Sequence, residues 1–173
     1  MGVLNRQELS DLNPEKIYSI GTFVLHPELW AKIDKKFVKI LNNPIKIKFN
    51  DQIRTKLGKL KDKKGIYIFF IEPNFPFVPA TSYLMYVGRV ISNNTFHKRF
   101  YDYVSAIGSR THRRNIQLLT NLWPDKTWVY FYDLSVNDQE IAKIEEILYN
   151  NICPPLNTQF RSKRALNSRS IYN

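Results

Sequence analysis

Two short stretches decide the fold: residues 65–71 read GIYIFFI, and residues 83–90 read YLMYVGRV. Both are rich in β-branched and aromatic residues, which favour β-strands. The segment between them, residues 72–81, reads EPNFPFVPAT, and its three prolines predict a loop. Residues 127–134, TWVYFYDL, have the same strand-forming character. The sequence therefore predicts three strands, the first two joined by a proline-rich loop.

Helical patterns flank these strands. Apolar residues recur at helical spacing over residues 28–41, 95–107 and 138–151, which predicts three helices. Gly108 is suited to end the second helix. Asn137, with Glu140 three residues later, is typical of a capping box at the start of the third.

Composition limits the classes of protein that this chain can be. It has 173 residues, 43% of them hydrophobic, and this excludes a disordered protein. Its single cysteine, Cys153, cannot form an intramolecular disulfide. No apolar run approaches the ~20 residues of a membrane span, and the N-terminus lacks the apolar core of a signal peptide. We therefore expect a soluble, cytoplasmic protein that does not enter the membrane.

The charge balance points to a polyanionic partner. Formal net charge is +11, from 26 Lys and Arg residues against 15 Asp and Glu residues. Residues 46–64 alone contain eight basic side chains and two acidic ones. This stretch is either a solvated connection or a track for phosphates, and its position next to the first strand favours the track.

The predicted helix over residues 95–107 departs from simple amphipathicity. Its apolar face is formed by Phe96, Phe100, Val104 and Ile107. Arg99 and Tyr103, four residues apart, fall within that face. A guanidinium in such a position is costly unless it has a partner or lines a cleft.

The predicted helix over residues 138–151 has the opposite anomaly. Glu145 lies on its inward apolar stripe, whereas Glu146 lies well off it. A buried Arg99–Glu145 salt bridge and a functional site both explain the two helices, and these residues alone leave the choice open. Tyr67 and Tyr86 in neighbouring strands, with Gly88 allowing close approach, favour a site.

Such a set of side chains suits phosphodiester chemistry. Mg²⁺ often takes only one or two protein carboxylates, with water and phosphate as its other ligands, so Glu145 could hold one ion. Arg99 could clamp a phosphate and stabilise developing charge. A tyrosine could act as a general base only if nearby cations lowered its pKa from about 10.

The ordered set of motifs resembles the GIY-YIG nuclease family. The set comprises Gly65-Ile66-Tyr67, Tyr86-Val87-Gly88, Arg99, Tyr103, Glu145 and Asn157, with Val87 in place of the usual isoleucine. The resemblance covers residues 64–157, including HKRFYDYV at 97–104 and IEEILYNNICPPLN at 144–157. These strings are similar to the helix that carries the family's arginine and to its ending with glutamate, proline and asparagine.

The resemblance implies a mixed α/β fold of the α+β type, with a small three-stranded antiparallel sheet flanked by helices. It implies an endonuclease that hydrolyses DNA with Mg²⁺, for which Mn²⁺ is expected to substitute. Glu145 would hold the metal and Asn157 would support the site. Tyr67, Tyr86 and Tyr103 complete the catalytic set, and among them we favour Tyr67 as base or water positioner, although the resemblance leaves this choice open.

The expected organisation has three parts: a basic, partly helical extension over residues 1–62, the nuclease domain over 63–157, and a basic tail over 158–173. Candidate contacts to nucleic acid are Lys64, Arg89, Lys98, Arg110, Arg113 and Arg114. A homodimer would allow both DNA strands to be cut.

Two other classes of function compete with the nuclease. One is a non-catalytic nucleic-acid-binding protein that retains the fold. The other is a toxin or regulator whose partner is a protein, with the charges merely solvated.

Overall fold

The computed structural model describes residues 27–31, 33, 39–50, 53–77, 81–105, 119 and 122–157. The elements in chain order are α1 (Pro27–Trp30), β1 (Ile45–Lys48), α2 (Ile53–Lys56) with a 3-10 turn (Leu57–Leu60), β2 (Gly65–Ile71), β3 (Tyr83–Val90), α3 (Phe96–Ser105), β4 (Thr127–Asp133) and α4 (Asp138–Ile152). Gly108, Arg110, Arg113, Arg114 and the tail over 158–173 lie outside the described residues.

The four strands form one antiparallel sheet in the order β1-β4-β2-β3. β2 is central, with β3 and β4 on either side of it. Tyr67 in β2 is opposite Gly88 in β3 and Phe131 in β4. The structure thus confirms a mixed α/β protein with an antiparallel sheet, and confirms the three expected strands.

The sheet has four strands in place of the expected three, because residues 45–48 add an edge strand. This segment reads IKIK, and Ile47 is buried while Lys46 is exposed. Ile47 lies opposite Val129 of β4. The alternation of apolar and basic residues is a strand signal that the surrounding run of lysines conceals.

The two faces of the sheet carry separate cores. One, here named the α3 face, packs Tyr67, Phe69 and Phe131 against Phe100 of α3 and against the α2 segment. The other, named the α4 face, packs Ile66, Ile68 and Val87 against Ile141, Ile144 and Leu148 of α4. This division follows from the alternation of side chains along β2, where residues 66 and 68 face one way and 67 and 69 the other.

The predicted helices are partly confirmed. α4 spans nearly the predicted range, and α3 lies within the predicted 95–107. The prediction of one continuous helix over 28–41 is wrong, because the chain turns after Trp30, where the N–H of Ile33 donates to the Trp30 carbonyl. The short α1 instead buries Leu29 against Tyr149 and Cys153. Within the described residues, no helix is long and apolar enough to cross a membrane.

The capping box at the start of α4 is confirmed and yields a stability prediction. The Asn137 side chain accepts a hydrogen bond from the Glu140 N–H at 2.9 Å. Asn137→Ala should lower the free energy of unfolding by about 1 kcal/mol, because this helix N–H loses its acceptor. Urea denaturation measures the change. Gln139→Ala, an exposed substitution in the same turn, serves as the control and should change stability by less than about 0.5 kcal/mol. Equal effects of the two substitutions would contradict the prediction.

Candidate functional site

A buried pair of tyrosines lies at the centre of the candidate site. The hydroxyls of Tyr67 in β2 and Tyr103 in α3 share a hydrogen bond of 2.6 Å. The two residues are only 2% and 3% exposed. Phe100 packs edge-on against both rings, with centroid distances of 5.1 Å to Tyr67 and 5.0 Å to Tyr103. Helix α3 is therefore held on the sheet by the packing of these three aromatic rings and by the hydrogen bond between the two tyrosine hydroxyls.

Gly88 makes room for this arrangement. It is paired with Tyr67 across β2 and β3, and a Cβ added to Gly88 would overlap the phenol ring of Tyr67. Any larger residue would push the ring out of its place. The glycine that the sequence suggested as a point of close approach thus accommodates a side chain of the protein itself.

Arg99 lies on the same helix, one turn before Tyr103. Its Nε atom is buried without a hydrogen-bond partner within the described part of the chain. The ion pairs found among those residues do not include Arg99. A buried guanidinium N–H without an acceptor costs free energy, and an anion bound at this position would remove that cost.

The surroundings of Tyr67 raise the pKa of its phenol well above the usual value of 10. Burial is the largest cause, the nearby Tyr103 and Tyr86 add to it, and Arg99 opposes it weakly. Tyr67 is therefore neutral at physiological pH. This argues against Tyr67 as a general base, the role favoured from the sequence, and suits it as a fixed hydrogen-bonding group.

Tyr86 is the more accessible tyrosine of this cluster. Its ring is half-buried and lies 6.2 Å from that of Tyr67, measured between centroids. Tyr86 is thus partly exposed to solvent and also lies next to Tyr67. It is better placed than Tyr67 to meet a water molecule or a substrate.

Glu145 is paired with a different arginine from the one the sequence suggested. Its Oε2 accepts from Nη1 of Arg89 at 2.7 Å, and the glutamate side chain is 15% exposed. The salt bridge considered for Glu145 therefore forms with Arg89 and not with Arg99. Strand alternation was the signal for this pairing, since Arg89 follows Gly88 and must face the side of the sheet opposite to Tyr67.

Asn157 supports the free edge of β3. Its side chain accepts from the Val87 N–H at 2.9 Å and donates to the Val87 carbonyl at 2.8 Å. Next to it, the Leu156 N–H donates to the Met85 carbonyl at 3.0 Å. The segment after α4 thus pairs with β3 much as a further strand would, and fixes the backbone between Tyr86 and Gly88.

The structure divides the predicted catalytic set into two groups. Tyr67, Tyr86, Arg99 and Tyr103 come together on the α3 face. Glu145 belongs to α4 on the opposite face, with Asn157 at the β3 edge between the faces. β3 is the last strand of the sheet, and residues 156 and 157 cover its outer edge.

The candidate contacts to nucleic acid differ in their surroundings. Lys64 pairs with Asp138 at 2.9 Å, and Arg89 pairs with Glu145. Lys98 is exposed on α3 and takes part in none of the ion pairs of the described residues. The phosphate-binding role predicted for Lys64 and Arg89 would require each to leave a carboxylate.

A metal site would depend on Glu145. Across the described residues, no group of three or more His, Cys, Asp or Glu side chains could hold an ion. A single carboxylate still fits Mg²⁺ that takes its other ligands from water and phosphate. Glu145 could bind the ion by sharing its carboxylate with Arg89 or by releasing it.

Comparisons with models of known protein families, with curated proteins and with solved structures gave no match.

The buried tyrosine pair predicts a pH-dependent stability. Because the folded-state pKa of Tyr67 is raised, its stabilising effect is complete below about pH 10 and declines as pH rises further. Tyr67→Phe should cost about 1–2 kcal/mol at pH 7, since it removes the hydrogen bond between the two buried hydroxyls. Denaturant unfolding from pH 7 to 11 should show this difference narrowing above about pH 10. A difference that stays constant would contradict the raised pKa.

The edge contact of Asn157 predicts a structural effect. Asn157→Ala leaves a buried N–H and a buried carbonyl of Val87 without partners, so unfolding free energy should fall by roughly 2–4 kcal/mol. Urea denaturation measures this loss. Asn74→Ala, in the exposed loop after β2, is the control and should stay within about 0.5 kcal/mol of the wild type. A small effect at Asn157 would show that the edge does not depend on it.

Proposed function

We propose that this protein is a Mg²⁺-dependent endonuclease that hydrolyses DNA phosphodiester bonds. The observation that carries the proposal is the buried, unpartnered Nε of Arg99 next to the Tyr67–Tyr103 pair. This is the one basic group of the cluster held in position without a counterion within the described residues. A phosphodiester would offer acceptors to the N–H groups of this guanidinium, for which the described residues supply no carboxylate.

The motifs are the second support for the proposal. The GIY-YIG resemblance accounts for the order of Tyr67, Tyr86, Arg99, Glu145 and Asn157 along the chain. We propose the GIY-YIG fold for residues 63–157, with β1 of the preceding segment added beside β4. In the same proposal the basic extension and tail flank this domain.

The proposed reaction divides the work among these side chains. Arg99 binds the scissile phosphate and stabilises the charge that develops on it. Tyr86 orients the attacking water, while Tyr67 and Tyr103 hold α3, and with it Arg99, against the sheet. Glu145 would hold Mg²⁺, or Mn²⁺ in its place, and the metal would stabilise the leaving oxygen.

One observation favours a second candidate, a non-catalytic nucleic-acid-binding protein. Glu145 is already paired with Arg89, as a carboxylate with a purely structural role would be. In that case the protein would bind DNA through its basic surface without cutting it. The two candidates make opposite predictions for a cleavage assay.

A plasmid assay tests the proposal. Supercoiled DNA incubated with the protein and Mg²⁺ should become nicked or linear, and EDTA should prevent this. Arg99→Gln should lower the cleavage rate by about 10²–10³-fold, because a charge-stabilising donor is lost. Glu145→Gln should abolish Mg²⁺-dependent cleavage, whereas the matched control Glu146→Gln, on the adjacent residue, should cut at nearly the wild-type rate.

Two outcomes would contradict the assignment. Cutting retained in Glu145→Gln would exclude Glu145 as the metal ligand. Salt-dependent DNA binding by the wild type without cleavage in Mg²⁺ or Mn²⁺ would favour the non-catalytic candidate.

The same assay reports on the oligomeric state of the enzyme. Linear DNA formed without a nicked intermediate would indicate that two copies act together.

A further inference from the structure

The basic side chains of this protein fall into two classes that the sequence does not separate. Lys46, Lys48, Lys63, Lys64 and Arg89 each lie within 3.3 Å of a carboxylate oxygen. A second group takes part in no ion pair of the described residues and is exposed: Lys39, Arg54, Lys56, Lys59, Lys61, Lys98 and Lys143. Since no carboxylate of the described residues pairs with the second group, its cations can bind an anionic partner.

Five of these uncompensated cations, all except Lys39 and Lys143, lie on or next to the α2 segment and α3 and share one surface. The α2 segment runs antiparallel along α3: Nη2 of Arg54 donates to the Ser105 hydroxyl at 3.1 Å at one end, and the Phe96 N–H donates to the Lys63 carbonyl at 3.0 Å at the other. Ile53, Leu57 and Leu60 point into the core, so the basic residues between them point outward. Among the described residues, the acidic side chains on this surface are Asp62 and Asp102.

An exposed tyrosine fixes one of the cations. Tyr101 is 50% exposed, and the guanidinium of Arg54 lies 4.9 Å from its ring centroid. The ring of His97 is also stacked against Tyr101, at a centroid distance of 6.3 Å. The cation–π contact and the hydrogen bond to Ser105 hold the planar guanidinium of Arg54 in place. The bond to Ser105 occupies one of the five N–H donors of Arg54.

We propose that this surface, formed by Arg54, Lys56, Lys59, Lys61, Lys98 and Tyr101 and here named the α2–α3 surface, binds the phosphate backbone of duplex DNA. The proposal rests on the proposed function and names the surface that guides substrate to it. Helix α3 spans ten residues, about 15 Å, which matches roughly four base pairs of duplex. Lys98 lies on α3, the helix that also carries Arg99, so the surface and the proposed phosphate-binding arginine share one helix.

The test compares two double variants with the same change in net charge. Lys56→Gln/Lys59→Gln removes two uncompensated cations from the α2–α3 surface. Lys46→Gln/Lys48→Gln removes two lysines that are already paired with carboxylates and lie on the α4 face of the sheet. Binding of a fluorescent duplex is measured by anisotropy at several salt concentrations, in EDTA so that no cutting occurs.

The wild type should bind with an affinity that falls steeply with salt. The slope of log K against log salt should decrease in magnitude by about 2 in Lys56→Gln/Lys59→Gln, because each phosphate contact contributes about 0.9. It should stay close to the wild-type slope in Lys46→Gln/Lys48→Gln. This pattern would support the α2–α3 surface as the site of backbone contact.

Other results separate the two proposals. If the wild type cuts plasmid but both double variants have the same slope, the surface proposal fails and the nuclease proposal stands. If the wild type neither cuts DNA nor binds duplex in a salt-dependent way, both proposals fail. Circular dichroism of each variant checks that a lost slope does not come from a lost fold.

Discussion

The candidate site depends on the hydrogen bond between two buried tyrosine hydroxyls, those of Tyr67 and Tyr103. The bond lies between two buried side chains, so breaking it would cost free energy. This bond connects the central strand β2 to α3 and therefore sets the height of the helix above the sheet. Arg99, one turn away on the same helix, takes its position from that contact.

The constraint extends to the neighbouring strand. The phenol ring of Tyr67 occupies the space above Gly88, so β3 must carry a residue without a side chain at this point. Asn157 holds the β3 backbone from the other side, by pairing with Val87. The edge strand β3 is thus fixed by one packed group of residues, which comprises Gly88, Asn157, Tyr67 and Tyr103. Tyr86 lies at the border of this group. Their co-occurrence in the sequence has a structural reason independent of catalysis.

Much of this arrangement could be predicted from the sequence. Strong local patterns identified β2, β3, β4, α3 and α4, because alternation, helical spacing and the Asn137 cap are properties of neighbouring residues. The placement of Arg99 and Tyr103 together also followed from helix geometry alone.

The parts that could not be predicted depend on contacts between distant segments. β1 was hidden because its lysines belong to a longer basic run, and only pairing with β4 distinguishes residues 45–48 from the rest. Strand alternation places Arg89 on the face of β3 opposite to Tyr67, but only the packing of α4 on that face brings Glu145 to it. The pKa of Tyr67 was expected to require lowering by cations, but burial outweighs the weak effect of Arg99.

The separation of the two groups across the β3 edge has a chemical consequence for the proposed nuclease. A phosphate bound by Arg99 reaches the site from the α3 face, whereas Glu145 approaches from the α4 side with Arg89 on its carboxylate. The proposed reaction requires that the DNA also contact Arg89 on the α4 side. Since a phosphate competes with a carboxylate for a guanidinium, Arg89 could move from Glu145 to the substrate and leave the carboxylate to a cation. DNA binding and metal binding would then reinforce each other. A phosphate would draw the Arg89 guanidinium away from the metal site, and the metal would neutralise the Glu145 carboxylate that repels the phosphate.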